Sequence, residues 1–344
     1  VYRNSGFKGL AMSETTVENG KITEYMGKRV IDFMRWRKLA AAASVALVIA
    51  SIAALVMNGL QFGLDFTGGT QIEVGYEQAP RIEDVRSQLQ EAGYEGASVV
   101  RFGSDNEILI KLPPEVAEEQ TQVSARDEEA SQSIGDEVVA MLGQKAGGSV
   151  ELRRVEMVGP QIGEELRDDG GLGMLFALVV VMAYVALRFQ YKFSVGAVVA
   201  LAHDVIIVLG FFALLKLDFD LTVLAAVLAV IGYSLNDTIV VADRIRENFR
   251  KVRKADSEEI INISISQTLG RTFMTSFTTL LVLWALQFFG GELIHNFSLA
   301  LIVGVVVGTY SSVYVAANVL MMMHITKEDL MPPVKEGAEL EEMP

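Results

Sequence analysis

Six blocks of apolar residues restrict what this chain can fold into more than any other feature. They run over 39–57, 172–187, 195–215, 222–241, 272–289 and 298–323. A hydrocarbon layer about 30 Å thick takes roughly 20 apolar residues of helix. Inside it every backbone amide must be bonded within its own segment, so each block is expected to cross a membrane as a helix. The hydrophobic residues, 51% of 344, are gathered into these blocks and not into narrow amphipathic stripes, which makes the class an integral membrane protein. The first block is expected to be a retained anchor, being too long and too far along the chain for a cleaved signal. With no cysteine, disulfides and thiolate-held metal are excluded.

Positive charge orients the bundle. Lys28, Arg29, Arg35, Arg37 and Lys38 precede the first block, Arg188 and Lys192 separate the second from the third, and Arg244, Arg246, Arg250, Lys251, Arg253 and Lys254 follow the fourth. Six spans put all of them on one side. The opposite connections, KLDFD (216–220) and GGELIHN (290–296), are poor in positive charge. Lysine and arginine mark the cytoplasmic side, so 1–38 and 324–344 are expected in the cytoplasm and 59–170 outside it.

The net charge of -14 belongs to 59–170, which carries 23 acidic and 9 basic residues, while the remainder balances at 20 against 20. That sign disfavours nucleic acid and anionic lipid as partners of this segment. A solvated acidic surface and a surface for a basic partner both remain open. GTQIEVGY alternates as a strand, RIEDVRSQLQEAG has helical spacing, and ASVVRF and EILIKL flank a turn at 103–106. TQVSARDEEASQSIGDEVVAMLGQ (121–144) reads as a helix and SVELRRVEMVG as a last strand. This order matches a split, ferredoxin-like unit. The expected architecture is an α-helical membrane protein: a six-span transmembrane bundle (39–58 and 171–323) with one α+β ferredoxin-like extracytoplasmic domain at 59–170 between spans 1 and 2.

Ionisable residues inside spans are costly and point to function or to interhelical bonding. Three positions stand out: Asp204 beside His203, Asp237 beside Asn236, and Arg271 opening the fifth block. Asp237 precedes Asp243, the start of a charged flank, by six residues, which puts it about 9 Å inside. Desolvation there favours its protonated form and a nearby cation its ionised form, so a moving partner could load and release a proton. A protonated carboxyl bonded to a neighbouring helix is the alternative. Arg271 is the candidate cation; it shares a helical face with Thr268, Thr275 and Thr278 or Thr279, suited to a bundle interior, although a span-end arginine also snorkels to headgroups. Asp204 falls near mid-membrane, and His203 is open to proton shuttling or to bonding within the bundle.

Other motifs say less. GLDFTGGT (63–70) lacks the lysine of a phosphate loop and reads as a turn into the first strand. GVVVG (304–308) is a small-residue helix contact. No nucleotide motif, nucleophile triad or metal-ligand cluster is present, so neither enzymatic activity nor a cofactor is expected.

FGLDFTGGTQIEV after the first block, ALAHDV in the third, IGYSLNDTIVVADRIREN (231–248) in the fourth and SQTLGRTFMTSFTTLL entering the fifth together resemble the SecF family of bacterial protein-export proteins, from about residue 35 to 327. The resemblance implies a half-assembly of the resistance-nodulation-division superfamily in the bacterial inner membrane. It would pair with SecD, associate with the SecYEG channel and with YajC, and use the proton motive force to pull preproteins across after SecA has acted. It implies a proton-carrying carboxylate at Asp237, a functional arginine at Arg271, and family positions at Asn236 and Asp204. Protons are the implied coupling ion, with sodium as the alternative. Residues 1 to about 30 have no counterpart in the resemblance. The runner-up reading is a half-transporter of the same superfamily exporting a small molecule or lipid; a non-transporting scaffold would tolerate apolar residues at 237 and 271.

Overall fold

The computed structural model describes residues 15–18, 21–114, 128–145, 149–252, 255–291, 294–326 and 329. The chain opens on an antiparallel meander, β1 (Thr15–Glu18), β2 (Lys21–Tyr25) and β3 (Lys28–Arg29). A short 3-10 turn then leads into α1 (Arg37–Asn58), the first span. The segment without a counterpart in the sequence reading thus contains ordered strands; its residues 1–14, 19 and 20 lie outside the described residues.

Next comes the inserted domain: β4 (Gln61–Phe62), α2 (Leu64–Thr67), β5 (Gly69–Tyr76), α3 (Ile82–Glu91), β6 (Ser98–Phe102), β7 (Ser104–Leu112), α4 (Glu128–Lys145) and β8 (Val150–Val158). Four strands pair in the order β6-β7-β5-β8, every neighbour antiparallel. Because side chains alternate across a strand, Ile72 and Val74 of β5 point to the same face as Ile108 and Ile110 of β7. They pack there on Val85 and Leu89 of α3 and Val138 and Leu142 of α4. Burying each such side chain stabilises the fold by about 1.5–3 kcal/mol.

Two local expectations need correction. The turn expected over 103–106 is shorter: Gly103, at φ 71°, reverses the chain and Ser104 already belongs to β7. A left-handed glycine makes the reversal in one residue, and a register irregularity beside Phe102 absorbs the difference. GLDFTGGT is more than a turn. It contains the one-turn helix α2, followed by Gly68 and Gly69 at φ 70° and 117°. A Cβ on Gly68 would lie 2.8 Å from Pro160 Cα, and one on Gly69 2.4 Å from the Leu112 carbonyl oxygen. Only glycine lets β5 start so tightly against the root of the second span. The helix expected at 121–144 is described from Glu128; 121–127 lie outside the described residues.

The remaining spans are α5 (Pro160–Arg188), α6 (Tyr191–Leu215), α7 (Leu221–Lys251), α8 (Ser257–Phe289) and α9 (His295–Met322), with β9 (Asp218–Phe219) between α6 and α7. All six apolar blocks are helices long enough to cross a membrane. The helices exceed the blocks, because polar turns continue a helix once it has left hydrocarbon. As a result α5 begins at Pro160, inside the stretch assigned to the domain, and Arg271 lies well within α8 and does not open it. Asp220 Oδ1 accepts from Val223 N at 2.8 Å and Asp256 Oδ1 from Glu259 N at 2.7 Å, so α7 and α8 carry side-chain N-caps.

The bundle has an inner trio. About 56% of the apolar window of α6, α7 and α9 is buried within the chain, against 6% for α5 and 17% for α8, whose outer surfaces are left for lipid or protein. The small-residue contact expected at 304–308 lies inside this trio, between α9 and α7: a Cβ on Gly304 would come within 2.1 Å of Val230 Cγ2.

Candidate functional site

Asp204 sits on α6 where α7 and α9 converge on it. It is 0% exposed. Its Oδ2 accepts from Ser234 of α7 at 2.5 Å and from Ser311 of α9 at 2.7 Å, while Oδ1 bonds His203 Nδ1 at 2.8 Å. One carboxyl thereby ties three helices together. His203 Nε2 is buried with no hydrogen-bond partner, and its ring lies 6.2 Å from that of Tyr310.

Asp237 lies three residues beyond Ser234 on α7 and has a different environment. It is 3% exposed, and its Oδ2 has no hydrogen-bond partner. Two polar rungs on the seam between α7 and α8 fix its level. Tyr233 OH donates to Ser276 Oγ at 3.1 Å, and nearer the basic ends of the helices Asn248 Nδ2 donates to Ser264 Oγ at 2.8 Å and to Gln267 Oε1 at 2.9 Å. The two helices run antiparallel, so one turn from the first rung toward the second brings Asp237 on α7 level with Thr272 on α8. The hydroxyls of Thr272 and of Thr238 are also buried without a partner.

Arg271, next to Thr272, therefore lies at nearly the same level on α8 as Asp237 on α7, yet no ion pair joins them. Its side is open: Arg271 and Asn236 are both exposed, each one residue from the buried Thr272 and Asp237. The threonine face expected to look inward with Arg271 divides instead. Thr268 is buried, whereas Thr278 is exposed and both it and Thr275 donate back to their own helix, to the carbonyls of Met274 and Arg271. A helix advances 100° per residue, so Thr272, not Arg271, shares the buried stripe of Thr268 and Ser276.

The helix that carries Asp237 is fastened at its other end to the inserted domain. Asp65 Oδ2 accepts from Leu221 N at 3.0 Å, the first residue of α7. Gln61–Phe62 pairs in parallel with Asp218–Phe219, Lys111 of β7 forms an ion pair with Asp218, and Asn296 Nδ2 donates to the Asp218 carbonyl at 3.1 Å. Around these contacts the open face of the sheet and the domain-side ends of the spans enclose a cleft of about 460 Å³, lined by Arg101, Lys111, Arg154, Glu156 and Asp220 among others. On that open face burial and neighbouring Glu107 hold the Glu73 carboxyl above its ordinary range. Burial also pushes the Tyr76 phenol up to about 12, so it stays neutral and serves packing.

Sequence reasoning singled out Asp204, Asp237, Asn236 and Arg271 but not Ser234, Ser311, Thr272 and Tyr233, which the structure places beside them, because hydroxyls cost little inside a span and do not stand out there. It also missed Asp65, Lys111 and Asp218. Each is a single charged residue in a stretch that reads as solvated, and the partners that join them are distant in sequence. Arg253 and Lys254, named for orientation, and Glu292 and Leu293 of GGELIHN lie outside the described residues. Among the described residues no group of three His, Asp or Glu is arranged to hold a metal ion.

Comparison with known proteins gives concordant results. Residues 138–326 match the family described as protein export membrane protein SecD/SecF, C-terminal, and residues 53–80 match the SecD/SecF GG motif, which covers Gly68 and Gly69. The chain is 48% identical over 319 residues to the protein translocase subunit SecF of Vibrio alginolyticus, spanning 92% of this chain and 98% of that one. It is 52% identical over 304 residues to SecF of Pseudomonas aeruginosa, spanning 88% and 94%. Among solved structures it is similar to the crystal structure of SecDF, a translocon-associated membrane protein, from Thermus thermophilus, with a TM-score of 0.75 and 36% identity over 88% of this chain. It spans 40% of that longer chain.

Proposed function

The chain belongs to the SecF family of protein translocase subunits, and from that premise we propose that it couples proton flow at Asp237 to late movement of preproteins through the Sec channel, in complex with SecD. Its role in SecD/SecF protein translocation follows from the family; the energy source and the residues are our reading. The observation that carries the reading is the state of Asp237. It is a buried carboxylate with an unused oxygen, a nearby but unpaired arginine, and Asn236 and Arg271 open on the same side. Buried polar atoms are ordinarily bonded, so an orphaned carboxylate oxygen suits a group that must alternate between partners. A SecD bundle against α7 and α8 would supply the missing contacts, in keeping with a solved relative whose chain is longer and is called SecDF.

Asp204 we assign to holding α6, α7 and α9 together beside that path. We read the inserted domain as ferredoxin-like and extracytoplasmic, supported by its strand order and by positive charge at the opposite ends of the spans. Both termini are then cytoplasmic. The bonds from Asp65 and Asp218 would carry displacement of α7 to the domain, biasing a two-state element at a distance. The test is export into inverted membrane vesicles with and without a proton gradient. Asp237→Asn should lose the gradient-dependent part of export by at least about tenfold while SecA-driven export persists. Full gradient-stimulated export by a folded, SecD-bound Asp237→Asn protein would sink the reading. Replacing the proton gradient by a sodium gradient distinguishes the two coupling ions.

A further inference from the structure

A second cleft, of about 480 Å³, opens where the C-terminal ends of α5 and α7 meet, and its lining is Arg188, Asp243, Arg246, Glu247, Arg250 and Lys251. Four cations face two carboxylates. One carboxylate is already engaged: Glu247 bonds Arg244 at 2.7 Å and Lys251 at 2.5 Å. Arg188, Arg246 and Arg250 form no ion pair with any described residue. The Arg246 Nε is buried and has no hydrogen-bond partner, and an unmade bond at a buried charged donor is costly unless something outside the chain supplies the acceptor. Guanidinium groups present a planar fork of donors that matches a phosphate.

The surroundings favour one kind of phosphate. Tyr184 of α5, one turn before Arg188 on the same helical face, is 56% exposed, and Leu187 beside it is 90% exposed. Apolar surface therefore continues from the rim of the cleft along α5, the least buried of the spans. A soluble anion would use the arginines and leave this wall bare. A phospholipid uses both, its headgroup among the cations and its chains against α5, and basic pockets between helix ends at a membrane surface are suited to such headgroups. We propose that the cleft between α5 and α7 is a binding site for the phosphate headgroup of an anionic phospholipid, held by Arg188, Arg246 and Arg250, with Tyr184 and Leu187 against its acyl chains. The site does not depend on the proton reading, since Asp237 is not part of the cleft's lining.

The experiment is native mass spectrometry of the full chain in neutral detergent, titrated with phosphatidylglycerol or phosphatidylcholine. The wild-type chain should take its first phosphatidylglycerol at least tenfold more tightly than phosphatidylcholine. Arg250→Ala should weaken that binding about fivefold, and Arg188→Ala with Arg246→Ala and Arg250→Ala should abolish the preference. A charge-matched variant, Arg35→Ala with Lys38→Ala and Lys192→Ala, should keep it. Equal loss in that control would trace the effect to general surface charge and overturn the proposal. So would a wild-type chain without preference, or a preference surviving in the triple arginine variant. Excess inorganic phosphate should leave the lipid bound; full displacement would identify a soluble phosphate as the ligand. Loss of the lipid on adding SecD would identify an acidic protein surface as the occupant.

Discussion

Asp204 and Asp237 are carboxylates of neighbouring membrane helices, both almost inaccessible, and their environments are opposite. Asp204 uses both oxygens, on two serines and a histidine from three helices; Asp237 leaves one oxygen without a partner and faces an arginine that does not reach it. Burial alone therefore does not distinguish the two carboxylates. The separation comes from satisfaction. A fully bonded carboxylate gains nothing by moving, whereas one with an orphaned oxygen has a standing reason to change partner.

The comparison can be broken by stability measurements in detergent. Asp204→Ala strands two serine hydroxyls and an imidazole nitrogen, and should cost about 3 kcal/mol in denaturant unfolding; a cost under about 0.5 kcal/mol would remove the distinction. Ser311→Ala deletes one of the donors to Asp204 and should cost about 0.6–1.7 kcal/mol, the range of interhelical bonds in membranes. Asp237→Asn should change stability by less than about 0.5 kcal/mol even with the export loss we propose for it, because no hydrogen bond to its unused oxygen is lost. A loss as large as that of Asp204→Ala would make both residues structural.

Glu73, outside the membrane, sharpens the contrast with a carboxylate that titrates against water. Burial and Glu107 raise its folded value. Below the ordinary carboxylate range both folded and unfolded states hold the proton, and its contribution to stability is complete. As pH rises the unfolded state releases its proton first, so the contribution falls until the folded group has ionised too. Glu73→Gln should remove that fall, seen as β5 amide protection that declines less between pH 4 and pH 7 once corrected for intrinsic exchange. An unchanged pH slope would assign the raised value no energetic consequence.

Much of the architecture was legible because it rests on local periodicity. Period-two alternation in GTQIEVGY specified β5, and each apolar block specified a helix, since hydrocarbon permits little else. Helix ends were less legible. Ser257 to Gly270 lies before the fifth apolar block but continues α8, where Asn262 and Ser266 bond the backbone of Met34 and Ile31 in the N-terminal segment. That segment had no readable role because its partner is more than two hundred residues away. The glycines of GLDFTGGT signalled a turn, whereas their need for space arises from Pro160 and Leu112, which no local window contains.

By itself the sequence determined that six helices cross a membrane, that an acidic strand-and-helix domain interrupts them, and that Asp204, Asp237 and Arg271 lie at unusual positions. Hydropathy, alternation and charge are properties of short stretches, so short stretches reveal them. Only the tertiary structure decided which carboxylate is satisfied. Hydrogen-bond satisfaction depends on where Ser234 and Ser311 stand relative to Asp204, and on Arg271 falling on the open side of α8, and those placements are made by helix packing.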